Sequence, residues 1–130
     1  DHQIHSEWYS IDKDVLERLQ KAKKEGRRII GVGTTSVRVL ETVFSSVIPS
    51  EAEGSHPTQK TISGETSIFI YPGYQFKAVD ALVTNFHTPY SSLLALVYAF
   101  AGQELIRKAY QHAIDQKYRF FSFGDAMFIE

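Results

Sequence analysis

The sequence contains no cysteine. Disulfide scaffolds, zinc–cysteine sites and thiol catalysis are therefore excluded, and a reduced, cytoplasmic setting fits. It has no excess of either charge: 14 Lys and Arg stand against 15 Asp and Glu, a net of −1. A domain held to nucleic acid by bulk charge is usually basic, so only a local patch is open to that role. Long hydrophobic runs are also missing. The longest, Leu93–Ala101, is far short of the ~20 residues that cross a bilayer, so no membrane partner is expected. Asp1–Ser10 is polar rather than a signal peptide. Met127 is the sole methionine. The chain is accordingly expected to be a fragment or processed product with a partner segment missing.

What is present argues for a folded α/β domain. Nine Phe and seven Tyr in 130 residues are incompatible with disorder, and the length suits one domain over residues 1–130. After the polar lead-in, a helix is predicted from an N-cap at Ser10 or Asp12. Val15, Leu16, Leu19 and Ala22 form its apolar stripe, and Gly26 stops it. Arg28–Gly33 reads as a short buried strand running through Thr34-Thr35-Ser36 into a second helix. That helix has Val37, Leu40, Phe44 and Val47 on one face. Helix, strand, Gly-Thr turn and helix together suggest a parallel α/β unit. Residues 48–65, rich in Pro, Gly and Ser, read as a long flexible loop. Strands at Thr66–Tyr71 and Phe76–Thr84 around Pro72-Gly73 predict a β-hairpin. A buried helix over Leu93–Ala101 follows, then an amphipathic one with Leu105, Ile106, Ala109, Tyr110, Ala113 and Ile114 inward. An aromatic strand, Tyr118–Phe123, comes last. The expected fold is a layered sheet with flanking helices and one hairpin.

Four places carry residues suited to chemistry. Gly33-Thr34-Thr35-Ser36, with Arg38 one turn in, sits at a helix N-terminus, where free N–H groups and the dipole favour a carboxylate or phosphate. It lacks the Gly-Lys-Ser/Thr ending of a P-loop, and a plain capped turn is the structural alternative. Asn85-Phe86-His87 follows a strand end, where open α/β sheets gather ligands. An imidazole there can move a proton; the alternative is a turn Asn and a hydrogen-bonded structural His. His5-Ser6-Glu7 pairs an imidazole with a carboxylate, and His2 adds an HxxH spacing without a third ligand, so no metal is expected. The alternative is a frayed terminus. Phe123-Gly124-Asp125 places an acid where it can bind a ribose, act as a base or simply turn the chain. Tyr74 offers a stacking surface beside Pro72-Gly73. The cations Lys21, Lys23, Lys24, Arg27 and Arg28 can touch an RNA backbone or decorate a solvated helix end.

Taken in order, these segments resemble one family. His5-Ser6-Glu7, Gly26–Arg38, Ile68–Tyr74, Thr84–His87, Ala99–Gly102 and Tyr118–Met127 together resemble the C-terminal part of the S-adenosylmethionine:tRNA ribosyltransferase-isomerases of queuosine biosynthesis. The resemblance covers nearly the whole chain outside residues 48–65. It implies a larger two-domain enzyme, a transferase and isomerase whose β-barrel domain is absent here. It further implies transfer and isomerisation of the ribosyl group of S-adenosylmethionine onto 7-aminomethyl-7-deazaguanine in tRNA. The products are epoxyqueuosine-tRNA, adenine and methionine. S-adenosylmethionine is then a consumed substrate, with no cofactor. The partners are tRNA and the missing N-terminal part, and the chain alone is expected to be inactive. On this reading His87, Asp125 and Glu7 are candidates for catalysis. His5, Ser6, Gly33, Thr34, Thr35, Ser36, Arg38, Tyr74, Asn85 and Phe86 are candidates for substrate binding. Two departures stand out: Thr88-Pro89-Tyr90 replaces the family's usual Leu-Pro-Lys, and Ser67 replaces an Asp. The missing Lys favours the alternative of a non-catalytic α/β module that binds a nucleotide or tRNA.

Overall fold

The computed structural model describes residues 6–46, 60–89 and 91–130. In chain order come β1 (Glu7–Asp12), α1 (Lys13–Lys24), β2 (Ile30–Val32), α2 (Thr34–Ser46), β3 (Thr61–Thr66) and β4 (Ala81–Asn85). They are followed by α3 (Ser92–Ala101), α4 (Gln103–Asp115), a 3-10 turn (Phe121–Phe123) and β5 (Ala126–Ile129). The α/β class expected from the sequence is the one found. β1 and β3 form an antiparallel pair, and β2-β4-β5 form a second sheet. In that sheet β2 runs parallel to β4 and β5 antiparallel.

The core lies on the inner face of the three-stranded sheet. Leu82 and Ile129 point into it with Val37 of α2, Leu94, Leu96 and Val97 of α3, and Ile106 of α4. Gly31 shares this face because α2 crosses directly over it. A Cβ there would stand 2.8 Å from a methyl of Val37. The opposite face is open at β2 and β5 among the described residues, though Ala81 of β4 is buried on it. Ile30, Val32 and Phe128 are exposed on it, Val32 at 65%, so the buried strand expected at 28–33 is buried only on its inner side, at Ile29 and Gly31.

Other expectations are corrected. The lead-in is not all loop: Tyr9 and Ile11 alternate with Trp8 and Ser10 and are half-buried, which gives β1 its pleat. The loop expected at 48–65 ends in β3, which pairs Asp12 with Thr61 and Glu7 with Thr66; residues 47–59 lie outside the described residues. No hairpin forms at 66–84. The Pro72-Gly73 turn is present, closed by the Tyr74 amide on the Tyr71 carbonyl, but its flanks do not pair. Side chains of α2 occupy the backbone groups a ladder would need. Arg38 donates to the Ile68 carbonyl, and Glu41 accepts from the amides of Lys77, Ala78 and Val79.

Tyr118–Phe123 is likewise not a strand. Phe121 adopts φ +59, and rings of this segment gather on Phe86 and Tyr110 instead of alternating. In α4, Leu105 and Ile114 are exposed, because only the stripe through Ile106 and Ala113 meets the core. Each sits about 100° around the helix from that stripe. Leu93 of α3 is also partly exposed.

Candidate functional site

The carboxyl ends of the parallel strands β2 and β4 define one edge of the sheet. Val32 lies level with Val83, and the Gly33 amide donates to the Val83 carbonyl at 2.8 Å. Gly33 takes φ +91, a region where a side chain would be strained, and so turns the chain straight into α2. The Val37 amide on the Gly33 carbonyl closes the first helical turn. Thr34 is buried, while Thr35 and Ser36 are exposed. The positive end of α2 therefore stands beside the end of β4, where Asn85-Phe86-His87 leaves the sheet.

His87 is held from two sides. Its Nε2 lies 2.8 Å from the Thr84 hydroxyl, and its backbone amide donates to the Tyr110 hydroxyl at 2.8 Å. Thr84 is 3% exposed and its hydroxyl also donates to the Asn85 carbonyl. Burial holds the imidazole below its ordinary pKa of 6.5, so it is neutral near pH 7. Burial likewise raises the Tyr110 hydroxyl, against the opposing hydrogen bond from the His87 amide, and keeps it a phenol.

Phe86 is nearly fully buried. Its ring packs edge-on to Tyr110 at 5.2 Å and stacks on Phe120 at 4.9 Å. Its carbonyl accepts from the Phe121 amide. Phe86 is thus the anchor beneath the site rather than a surface that ligand can reach. Asn85 is exposed and donates to the Asp125 carbonyl at 3.3 Å. The Asp125 carboxylate accepts the Arg119 amide at 2.6 Å and lies 3.6 Å from the Arg119 guanidinium. It closes the 119–125 turn against the same edge.

A second group lies on the flank of α2. The Arg38 guanidinium is 14% exposed and forms an ion pair with Glu7 of β1. It also reaches the Ile68 carbonyl at 3.1 Å. Ser6, next to Glu7, contacts Glu65 across the β1–β3 pair. His5 lies outside the described residues, as do His2 and Tyr90. Tyr74 is separate again. Its hydroxyl donates to Glu41 at 2.8 Å, and its ring packs edge-on to Phe76. Burial, followed by the bond to Glu41, pushes its pKa to about 12. The structure thus unites Gly33–Ser36, Asn85, Phe86, His87 and Asp125 at one edge. It ties Ser6, Glu7 and Arg38 together nearby, and Tyr74 to the scaffold. Among the described residues no three His, Asp or Glu side chains cluster as a metal would require.

Three residues escape sequence reasoning, two that hold this edge and one that holds the scaffold behind it. Thr84 and Tyr110 fix His87 but look like ordinary strand and helix residues. Glu41 is fully buried; it falls on the same helical face as Val37 and Phe44, and an acid on an apolar stripe is the signal that could have revealed it. The basic cluster at the end of α1 and just beyond it is largely spent in ion pairs within the chain. Lys23 pairs with Asp80 at 2.8 Å, Arg27 with Glu25, and Arg28 with Glu130.

The model of the queuosine biosynthesis protein family matches residues 1–129. Over 128 residues the chain is 57% identical to a Polynucleobacter asymbioticus protein named S-adenosylmethionine:tRNA ribosyltransferase-isomerase. That match takes in 98% of this chain and 33% of the relative. A crystal structure of S-adenosylmethionine tRNA ribosyltransferase from Thermotoga maritima superposes with a TM-score of 0.79 at 47% identity. It covers 95% of this chain and 40% of the other. The chain therefore spans about a third of the curated relative and two-fifths of the solved one.

Proposed function

The chain belongs to the queuosine biosynthesis protein family, and from that premise we propose that it is part of an S-adenosylmethionine:tRNA ribosyltransferase-isomerase. The complete enzyme would transfer and isomerise the ribosyl group of S-adenosylmethionine onto 7-aminomethyl-7-deazaguanine in tRNA. Epoxyqueuosine-tRNA forms, and adenine and methionine leave. S-adenosylmethionine is consumed, so the reading calls on no prosthetic group. The remaining two-thirds of the polypeptide completes the site, and this part alone is inactive. With tRNA as the substrate, the cytoplasm is its place of work.

The observation that carries this reading is a neutral, fixed imidazole at the same sheet edge as a helix N-terminus. The chemistry asks for a base to take a proton from the carbon beside the sulfonium; the C–H electron pair stays on that carbon. A neutral His87 suits the task, since a base must be unprotonated at working pH. The first turn of α2, at Thr34, Thr35 and Ser36, is suited to an anionic group such as a carboxylate or phosphate. Asn85 and Asp125 border the same edge and suit ribose or amine contacts. Glu7 serves by holding Arg38 in place.

The test is adenine release by the full-length enzyme, given S-adenosylmethionine and tRNA bearing the aminomethyl-deazaguanine. Turnover, with its loss in His87→Ala, is the expected result. A folded enzyme that binds tRNA yet releases no adenine would establish the non-catalytic binding module instead, with Thr88 and Tyr90 in place of the usual Leu and Lys as its mark.

A further inference from the structure

The Thr84 hydroxyl has one proton and two partners. The Asn85 carbonyl can only accept, at 3.2 Å, and His87 Nε2 lies 2.8 Å away. With its proton on the carbonyl, the hydroxyl can meet Nε2 only as an acceptor, so Nε2 carries the hydrogen. The ring's other nitrogen, Nδ1, then holds the free lone pair. Tyr110 completes the restraint by accepting the His87 amide at 2.8 Å, which fixes the backbone from which the ring hangs.

We propose that Thr84 is a positioning residue for His87: by accepting Nε2–H it leaves Nδ1 as the nitrogen that exchanges a proton with substrate. This rests on the reading of His87 as the base. The arrangement has a specific merit. When Nδ1 takes a proton, the imidazolium still donates through Nε2–H to the same Thr84 oxygen. No hydrogen bond breaks and no hydroxyl turns. A Thr that donated to Nε2 would have to reverse at every turnover if Nε2 were the working atom. Thr84 sits at the last inward position of β4, level with Met127 of β5, where the sheet rather than a loop fixes the hydroxyl.

The experiment uses the full-length enzyme with 15N-labelled histidine, and the Thr84→Val, Thr84→Ser and His87→Gln variants. His87→Gln assigns the resonances. In the parent, His87 should show Nε2 protonated and Nδ1 bare, with no averaging between tautomers. Thr84→Val keeps the shape and removes the acceptor. It should mix the tautomers and lower kcat for adenine release by about 10- to 100-fold, by analogy with metal-bound imidazoles that lose their orienting partner. KM for S-adenosylmethionine and tRNA should stay within about threefold. Thr84→Ser should restore both the signature and the rate, an outcome that a purely structural role for the methyl group does not produce. Nδ1–H or mixed tautomers in the parent, or a Thr84→Val enzyme with unreduced kcat, would overturn the assignment. A parent with the Nε2–H signature but no adenine release would overturn the function proposed above and, with it, the role of Nδ1 as the working base.

Discussion

Glu41→Gln puts the scaffold of the site under the most direct load. The carboxylate is fully buried and serves four donors. Oε1 accepts the Tyr74 hydroxyl and the Lys77 amide, each at 2.8 Å. Oε2 accepts the amides of Ala78 and Val79 at 2.9 Å. Gln has the same shape but only one acceptor oxygen. If its NH2 faces Ala78 and Val79, two buried amides lose their acceptor. If it faces the other way, the Tyr74 hydroxyl can turn to accept, and the amide of Lys77, an exposed residue, loses its acceptor and turns to water. One buried donor without a partner costs about 1–3 kcal/mol. The bonds that remain weaken as well, since a charged acceptor makes hydrogen bonds roughly twice as strong as a neutral one. The expected loss is about 2–5 kcal/mol, a large share of the ~5–15 kcal/mol that holds a domain together. Hydrogen exchange at Ala78 and Val79 in the full-length protein reads the local loss, and urea denaturation reads the global one. Tyr74→Phe alone should cost about 1.5–3 kcal/mol, because it removes a single bond to a charged group. A Glu41→Gln variant within ~0.5 kcal/mol of the parent, with unchanged exchange, would refute the reasoning.

Gly31→Ala should destabilise by about 1–3 kcal/mol, since the new methyl meets Val37 at 2.8 Å and neither α2 nor β2 can yield freely; thermal denaturation checks it, and pairing the change with Val37→Ala should recover part of the loss. His87 makes stability depend on pH. Its folded pKa lies below 6.5, so the unfolded chain binds more protons between the two values. The contribution is whole above 6.5, declines as pH falls to the folded pKa, and is constant below it. His87→Gln should remove that slope in a denaturation series. Asp80 titrates lower down. Partial burial alone would raise its pKa, but the Lys23 and Ile29 hydrogen bonds and the charges of Lys23 and Arg28 outweigh it and hold the carboxyl below 3.8. Its contribution is present above the unfolded value and lost as pH falls through the folded one, so Asp80→Asn should flatten the acid limb of the stability profile.

The parallel β2–β4 pair and the helix that follows Gly33 were legible because hydrophobic runs, a glycine turn and a helical stripe all point the same way. The place of Asn85-Phe86-His87 at a strand end followed from them. The hairpin was misread because the apolar alternation in Ile68–Tyr71 is real but serves core packing, while Arg38 and Glu41 take the backbone groups that would have paired. Tyr118–Phe123 failed for a similar reason. Its rings are spaced like a strand, yet they condense around Phe86, and the Asp125 carboxylate holds the turn. In both places a side chain distant in sequence settles the backbone, and local periodicity has no access to it.

The pairing of β1 with β3 joins distant parts of the chain: the Ser6 and Glu65 side chains that meet across it are 59 residues apart, and those of Ser10 and Ser63 are 53 apart. Closing so long a circuit is slow, because the ladder contributes nothing until its ends have met. Lengthening it further is cheap, since the entropy of closure rises only with the logarithm of length and each doubling adds about 0.6 kcal/mol. The connection between α2 and β3 is therefore a port for grafting. A fluorescent domain or affinity tag spliced there should leave the Tyr9–Gly64 and Ile11–Ile62 register intact.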